Sequence, residues 1–499
     1  MVVVTIRVPS VTHRARRPAG GAPVRPWAAL VVLLCGTFLA NLDVFIVVVA
    51  MPALERDLGA DGGQQQLVLA GYQLVYALGL AAGGRLGDAL GTLRVFGLGM
   101  AVFTGASVVC GVAPTTAVLV VARMVQGAGT ALMVPQVYRA ARTLFTGAAQ
   151  RRAYAAIGAV MGLGAIGGQL LGGWLLSADV LGLGWRAVFL VNVPVGVLAL
   201  TLLPWAAGDP RPVRHGPVRA DLPGIGLAAG ALGLFVVPLV AGGAGGMVWW
   251  GPACLAASVP VSACFLRHER ALEARGGSPL VPPRLLRLDG FRRGIALIVL
   301  INCGLSAFVL MLGLLLQRGL DWSPLATGLG MAPAAVAFAG GSLLAPRLAR
   351  GAEPRLLVLA SLAATAGYAG CAATALGTDP RLLIGAVCAV GAALGLCVTP
   401  ALSVTLRTVP DAVAGAASGV VSTAQQLGAA LGVCVFGFLF FAQVRATADV
   451  VGAFAVTTAA LTTTSAAAGV LARDLPRAAA PAGLREDVPG SPAPRDLPM

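Results

Sequence analysis

Residues 27–50 read WAALVVLLCGTFLANLDVFIVVVA, a run in which Asp43 is the only charged side chain. An α-helix needs about 20 apolar residues to cross the ~30 Å of a bilayer's hydrocarbon, and this run supplies them. Runs of the same kind recur, for example at 187–205 and 295–316. Over the whole 499-residue chain, 58% of residues are hydrophobic and 11% are charged, against roughly 25% charged in soluble domains. The chain reads as an all-α polytopic membrane protein.

All 35 basic residues are arginine. A phosphate-cradling G-x-x-x-x-G-K-[ST] loop needs a lysine, as does Schiff-base catalysis, so self-powered ATP hydrolysis through that loop and imine chemistry are excluded. The three histidines, His13, His215 and His268, fall in polar segments. The nine cysteines lie in or at the ends of apolar runs and form no C-x-x-C, so they read as small packing residues. No metal site, no cofactor beyond a proton gradient and no nucleic-acid partner are expected.

Fourteen spans are predicted, at 27–50, 66–83, 93–112, 117–138, 154–177, 187–206, 222–242, 247–266, 294–316, 325–345, 355–376, 382–406, 415–441 and 450–472. With the N-terminus cytoplasmic and the spans alternating, only Arg56, Arg186, Arg318, Arg381 and Arg445 fall outside the cell and Arg123 falls inside a span. Every other arginine is then cytoplasmic, the bias that sets topology. Both termini are expected in the cytoplasm, and the net charge of +15 is this topology signal, helped by anionic lipid.

The resulting organisation has six parts: a basic cytoplasmic segment 1–26, a six-helix bundle 27–206, a linker with a two-helix insert 207–266, a solvated cytoplasmic loop 267–293, a second six-helix bundle 294–472 and a disordered cytoplasmic tail 473–499. Glycines at the ends of spans 2 and 10, each followed by charged residues (Gly84 to Arg94; Gly341 to Arg350), give a faint internal echo, which pairs the two bundles as transporter repeats.

Several motifs carry a family resemblance. Gly84-Arg-Leu-Gly-Asp88-Ala-Leu-Gly91-Thr-Leu-Arg94 resembles the G-x-L-a-D-r-x-G-r-k loop of the major facilitator superfamily, with Arg94 displaced by one. Leu119 to Gly129, through Arg123 and Gln126, resembles its fourth-helix motif. Gly184-Trp-Arg-Ala-Val-Phe-Leu-Val-Asn192-Val-Pro194 resembles the start of the sixth helix in the fourteen-helix drug:proton antiporters, the most specific local match. Asn41-Leu-Asp43 resembles their first helix, although Phe45 and Val48 replace its Thr and Asn. The fifth-helix motif G-P-x-x-G-G reads Gly168-Gln169-Leu-Leu-Gly172-Gly173 and lacks the proline. The resemblance implies a major facilitator fold of two six-helix bundles plus two inserted helices, acting as an efflux permease.

Two ionisable groups lie inside well-defined spans, Asp43 in span 1 and Arg123 in span 4, at nearly the same depth. Buried charge is costly and marks function by default. One reading makes Asp43 the proton-titrating carboxylate, with Arg123 as its release partner; the other is a static pair fixing two helices. Gln126, with Tyr72 and Gln73, is a candidate to line a substrate cavity. Gly84, Asp88, Gly91 and Arg94 are candidates for a conformational gate, in which Asp88 latches the cytoplasmic side with Arg85 and Arg94 nearby. Gly164, Gly168 and Gly172 make a one-faced stripe beside Gln169, first of all a packing seam.

The leading expectation is therefore a monomeric secondary transporter in the cell membrane, exporting lipophilic small molecules in exchange for protons. A proton-coupled importer of the same fold is the second reading. A membrane-embedded enzyme or sensor is the third, disfavoured because no His, Asp and Glu cluster converges at one interface.

Overall fold

A computed structural model describes residues 25–475, apart from 208–220, 246–248, 278, 350–351, 378 and 411–412. Residues 1–24 of the expected basic N-terminal segment, 208–220 of the linker and 476–499 of the expected C-terminal tail lie outside the described residues. The helices are α1 (Pro26–Leu58), α2 (Gly62–Leu90), α3 (Thr92–Gly111), α4 (Thr116–Thr143), α5 (Gly147–Ala178), the single turn α6 (Ala187–Leu190), α7 (Asn192–Ala207), α8 (Leu222–Gly245) and α9 (Gly251–Ala274). After the short α10 (Pro283–Leu286) come α11 (Asp289–Leu314), α12 (Pro324–Ala349), α13 (Glu353–Ala375), α14 (Pro380–Arg407), α15 (Ala414–Thr447) and α16 (Val450–Arg473).

Local chemistry sets the boundaries. Pro26 occupies the first turn of α1, where no backbone N–H is needed, and Gly59 ends the helix in the left-handed region at φ 62°. Asp61 then starts α2 with a reciprocal cap: its carboxylate accepts the Gln64 N–H at 2.8 Å and its own N–H donates to Gln64 Oε1 at 3.2 Å. Gly91, at φ 95°, turns α2 into α3 with no intervening loop, a conformation that side chains resist.

Thirteen described segments are long and apolar enough to cross a membrane. The remaining expected span, 247–266, corresponds to α9, which runs on through Arg267, His268, Glu269 and Arg270 and is diluted by that polar end. The 267–293 segment is thus less open than expected: the helix continues to Ala274 and Glu269 is buried.

The helices pair twice in the same way. In the first half α1 lies on α5, α4 on α2 and α3, and α7 on α1 and α3; in the second half α11 lies on α15, α14 on α12 and α13, and α16 on α11 and α13. The halves meet along two equivalent seams, α5 with α12 and α2 with α15. The hairpin α8–α9 breaks this symmetry, since α8 lies against α2 and α15 and so covers one seam only.

Glycine makes the α5–α12 seam close. A Cβ on Gly328 would sit 2.4 Å from the Gln169 carbonyl oxygen, and one on Gly173 would sit 2.6 Å from that of Pro324. Leu325 N–H donates to Ser177 Oγ at 3.0 Å beside them. A Ser177→Cys/Leu325→Cys pair is therefore expected to cross-link in native membranes. Adding Gly328→Val, which pushes the backbones apart, should lower the yield several-fold on a denaturing gel.

Candidate functional site

Among the described residues, the interior of the first half holds one ionic network. Midway along α1, Asp43 pairs with Arg123 of α4, and neither side chain has any exposure. Gln126 follows Arg123 by three residues, the spacing that puts two side chains on one helix face. Its Nε2 donates to Asp43 Oδ1 at 2.8 Å and to Ser107 Oγ of α3 at 2.9 Å, while its Oε1 accepts Arg123 Nη1 at 2.7 Å. Arg123 Nε donates to the Val68 carbonyl of α2 at 3.0 Å, and the guanidinium lies 4.4 Å from the centre of the Tyr72 ring. Tyr72 OH in turn meets Thr130 Oγ1 at 3.0 Å.

Asn192 completes the set: its Nδ2 donates to Asp43 Oδ1 at 3.0 Å. The Trp185-Arg186 motif sets its position. Trp185 Nε1 donates to Asp57 Oδ2 at 2.9 Å and Arg186 Nη1 reaches the same oxygen at 3.3 Å. That anchor ties the turn ahead of α7 to the last turns of α1, seven residues before Asn192. Motif resemblance drew attention to this stretch, but the sequence reading assigned Asn192 and Ser107 no part in the site.

Desolvating two charges costs several kcal/mol per ion, offset only where geometry and further hydrogen bonds are good. Here Asp43 accepts from three side chains, and Arg123 donates to a carboxylate, an amide and a backbone carbonyl while facing an aromatic ring. Adding a proton to Asp43 would remove the negative partner of Arg123 and oblige Gln126 and Asn192 to rearrange. The arrangement can therefore convert protonation into a change of helix packing.

The structure separates the residues expected to line a cavity. Gln126 and Tyr72 belong to the ionic network. Gln73 is turned about 100° from Tyr72 onto a different α2 face, in register with Gln66 and Ala77, which meet α15 at Gly437 and Thr423. Gln169 faces α12. Gln66, Gln73 and Gln169 are buried where the halves meet, each with a side-chain oxygen that has no hydrogen-bond partner. Gly164, Gly168 and Gly172 face α1, where added Cβ atoms would lie 2.8 Å from Phe38 O, 2.6 Å from Leu42 O and 2.9 Å from Ile46 Cγ1. The stripe thus presses α5 onto the helix that carries Asp43.

In the last turn of α2, Asp88 pairs with Arg139 of α4, in place of the Arg85 and Arg94 that its sequence neighbourhood suggested. Arg94 is exposed, and a Cβ on Gly84 or Gly91 would meet nothing within 4 Å. At the other end of the bundle, α11 ends in a π-turn, Leu315–Gly319, a form often found where function needs a side chain re-aimed. It directs Gln317 Nε2 to the Val49 carbonyl at 3.1 Å and Arg318 to Glu55 and to Gln65 Oε1, the latter at 3.2 Å. The sequence reading counted Arg318 only as an external arginine; its place on the last turn of an apolar span, opposite the acid that follows Pro52, was the available signal.

This arrangement is that of a known family. The Major Facilitator Superfamily matches residues 33–433. The probable actinorhodin transporter of Streptomyces coelicolor is 35% identical, with 87% of this chain and 76% of that protein covered. The cephamycin export protein CmcT of Amycolatopsis lactamdurans is 35% identical over 82% of this chain and 83% of its own. The multidrug efflux pump LfrA of Mycolicibacterium smegmatis is 30% identical over 92% and 90%. A solved bacterial homologue of the human drug peptide transporters PepT1 and PepT2 superposes with a TM-score of 0.61 at 16% identity, over 90% of this chain and 98% of that one, a likeness of fold. Twice-repeated helix pairing, paired motifs and relatives along most of the length lead to one assignment: the chain belongs to the Major Facilitator Superfamily.

Proposed function

We propose that this protein exports lipophilic small molecules of the antibiotic or drug class across the cell membrane in exchange for protons. The carrying observation is the sealed carboxylate of Asp43, held by Arg123, Gln126 and Asn192. An isolated ion pair inside a membrane bundle is expensive, and a titratable one links proton binding to packing. Relatives named as a probable actinorhodin transporter, a cephamycin export protein and a multidrug efflux pump support the substrate class. The arginine bias supports cytoplasmic termini and an external Arg318–Glu55 pair. On that orientation the close approaches of Gly173 to Pro324 and of Gln66 to Gly437 lie toward the outer side.

In this reading the bundles 27–206 and 294–472 rock against each other, Gln66, Gln73 and Gln169 become available to substrate as the halves part, and the Asp88–Arg139 pair steadies the cytoplasmic turn from α2 into α3. The protein works as a monomer, with the proton gradient in place of a cofactor. Everted vesicles settle the direction. On energising, they should accumulate a lipophilic dye, and substrate addition should discharge the pH gradient. Release of preloaded dye down the same gradient would instead identify an importer.

A further inference from the structure

The two-helix insert carries a second polar cluster, far in sequence from the ionic network. Asp221 stands immediately before α8, and its Oδ1 accepts the Gly224 N–H at 3.0 Å. His268, near the end of α9, meets the same oxygen through Nε2 at 2.8 Å. Its neighbour Glu269 uses Oε2 to accept the Val281 N–H at 2.8 Å. That leaves Asp221 Oδ2 and Glu269 Oε1, two carboxylate oxygens on side chains more than nine-tenths buried, with no hydrogen-bond partner. One donor atom from each of the three residues lies within 4.8 Å of the others.

Buried anionic oxygens without a proton donor or a cation are costly. Arg85 of α2 is near enough to feel both carboxylates, yet its Nε is given to the Ala81 carbonyl at 3.3 Å and neither orphan oxygen receives an N–H from it. Both oxygens converge on Gly224, where a Cβ would lie 2.1 Å from Asp221 Oδ2 and 2.8 Å from Glu269 Oε1, so only glycine is accommodated beside them. One imidazole nitrogen and two carboxylate oxygens suit a borderline divalent ion such as zinc, which binds such donors at about 2.0–2.2 Å. The all-oxygen preference of magnesium and calcium fits this set less well.

We propose that Asp221, His268 and Glu269 form a divalent-cation site of the zinc class at the foot of the α8–α9 hairpin. The ion joins the start of α8 to the end of α9. Through the Glu269–Val281 bond it also holds the chain that leads into α10 and α11. It is thus a staple where the insert meets the second half.

The test uses the full-length protein, purified, stripped with a chelator and titrated with zinc by calorimetry and metal analysis. One zinc per chain is expected, unaffected by excess magnesium, and cobalt(II) should give a visible absorption band. Glu269→Gln and Asp221→Asn should weaken zinc binding by at least ~10-fold, given that even outer-shell changes cost about 10–100-fold. His268→Ala, at a partly exposed residue, should alter the cobalt band and serves if the carboxylate variants fail to fold. Cys264→Ser is the control for stray thiol binding.

Absence of saturable zinc binding by the wild-type chain overturns the proposal, as does binding that all three variants leave unchanged. A pH-dependent melting change near neutrality that Glu269→Gln removes, without any zinc response, also overturns it and leaves a shared proton between the acids. None of these readouts involves transport, so their failure leaves the export reading standing.

Discussion

Asp43→Asn is expected to reduce substrate-driven proton movement in everted vesicles to the level of vesicles lacking the protein. The amide keeps the size of the carboxylate and can still accept from Gln126 or Asn192, so the change removes charge and titration more than shape. Arg123 then becomes a buried cation without its anion, a situation that costs about 3–5 kcal/mol, so a lower melting temperature should accompany the lost coupling. Vesicle quenching and substrate flux are measured on variants matched for expression. Undiminished proton-driven transport by Asp43→Asn would remove this carboxylate from the mechanism.

Arg123→Ala is expected to do comparable damage from the other side. It deletes the donors to Asp43, Gln126 and Val68 O and opens a void beneath the Tyr72 ring. Asp43 keeps the Gln126 and Asn192 donors but loses its cation, so proton binding there would no longer release a charged partner on α4. Destabilisation of about 3–5 kcal/mol is expected again. Combining Asp43→Asn with Arg123→Gln removes both charges together and should recover much of the lost stability without recovering coupling. That double-mutant cycle separates the energetic part of the pair from its functional part. If Arg123→Ala retains full coupling, the pair is scaffolding that fixes α1 against α4.

Depth along a helix was legible from the sequence, because rise per residue is fixed; this is how Asp43 and Arg123 could be matched before any coordinates. Rotation about the helix axis was much less so. Each residue turns a helix by about 100°, so a boundary uncertain by two residues leaves the facing side open. Gln126 and Gln73 illustrate the problem, since both looked like polar lining and they face different interiors. Partners from distant helices were hidden for the same reason: Asn192 and Ser107 for Asp43, Arg139 for Asp88, and Arg318 for Glu55. The glycine stripe of α5 was readable as a close-contact surface, while its partner α1 was not. Glu269 was read as part of a solvated loop because the charge-rich 267–293 stretch hid the continuation of α9, and local composition does not show that the hairpin folds back over its own foot.

The lone hairpin also has a mechanical consequence. Two otherwise equal flanks are left with unequal stiffness, because α8 braces one of them across both bundles through contacts such as Arg445 Nη1 to the Gly242 carbonyl at 3.0 Å. If the bundles tilt as proposed, the braced flank is expected to resist gaping and serve as the fulcrum, so the widening should fall on the unbraced side, where the glycine-to-backbone contacts and the Leu325–Ser177 hydrogen bond are parted.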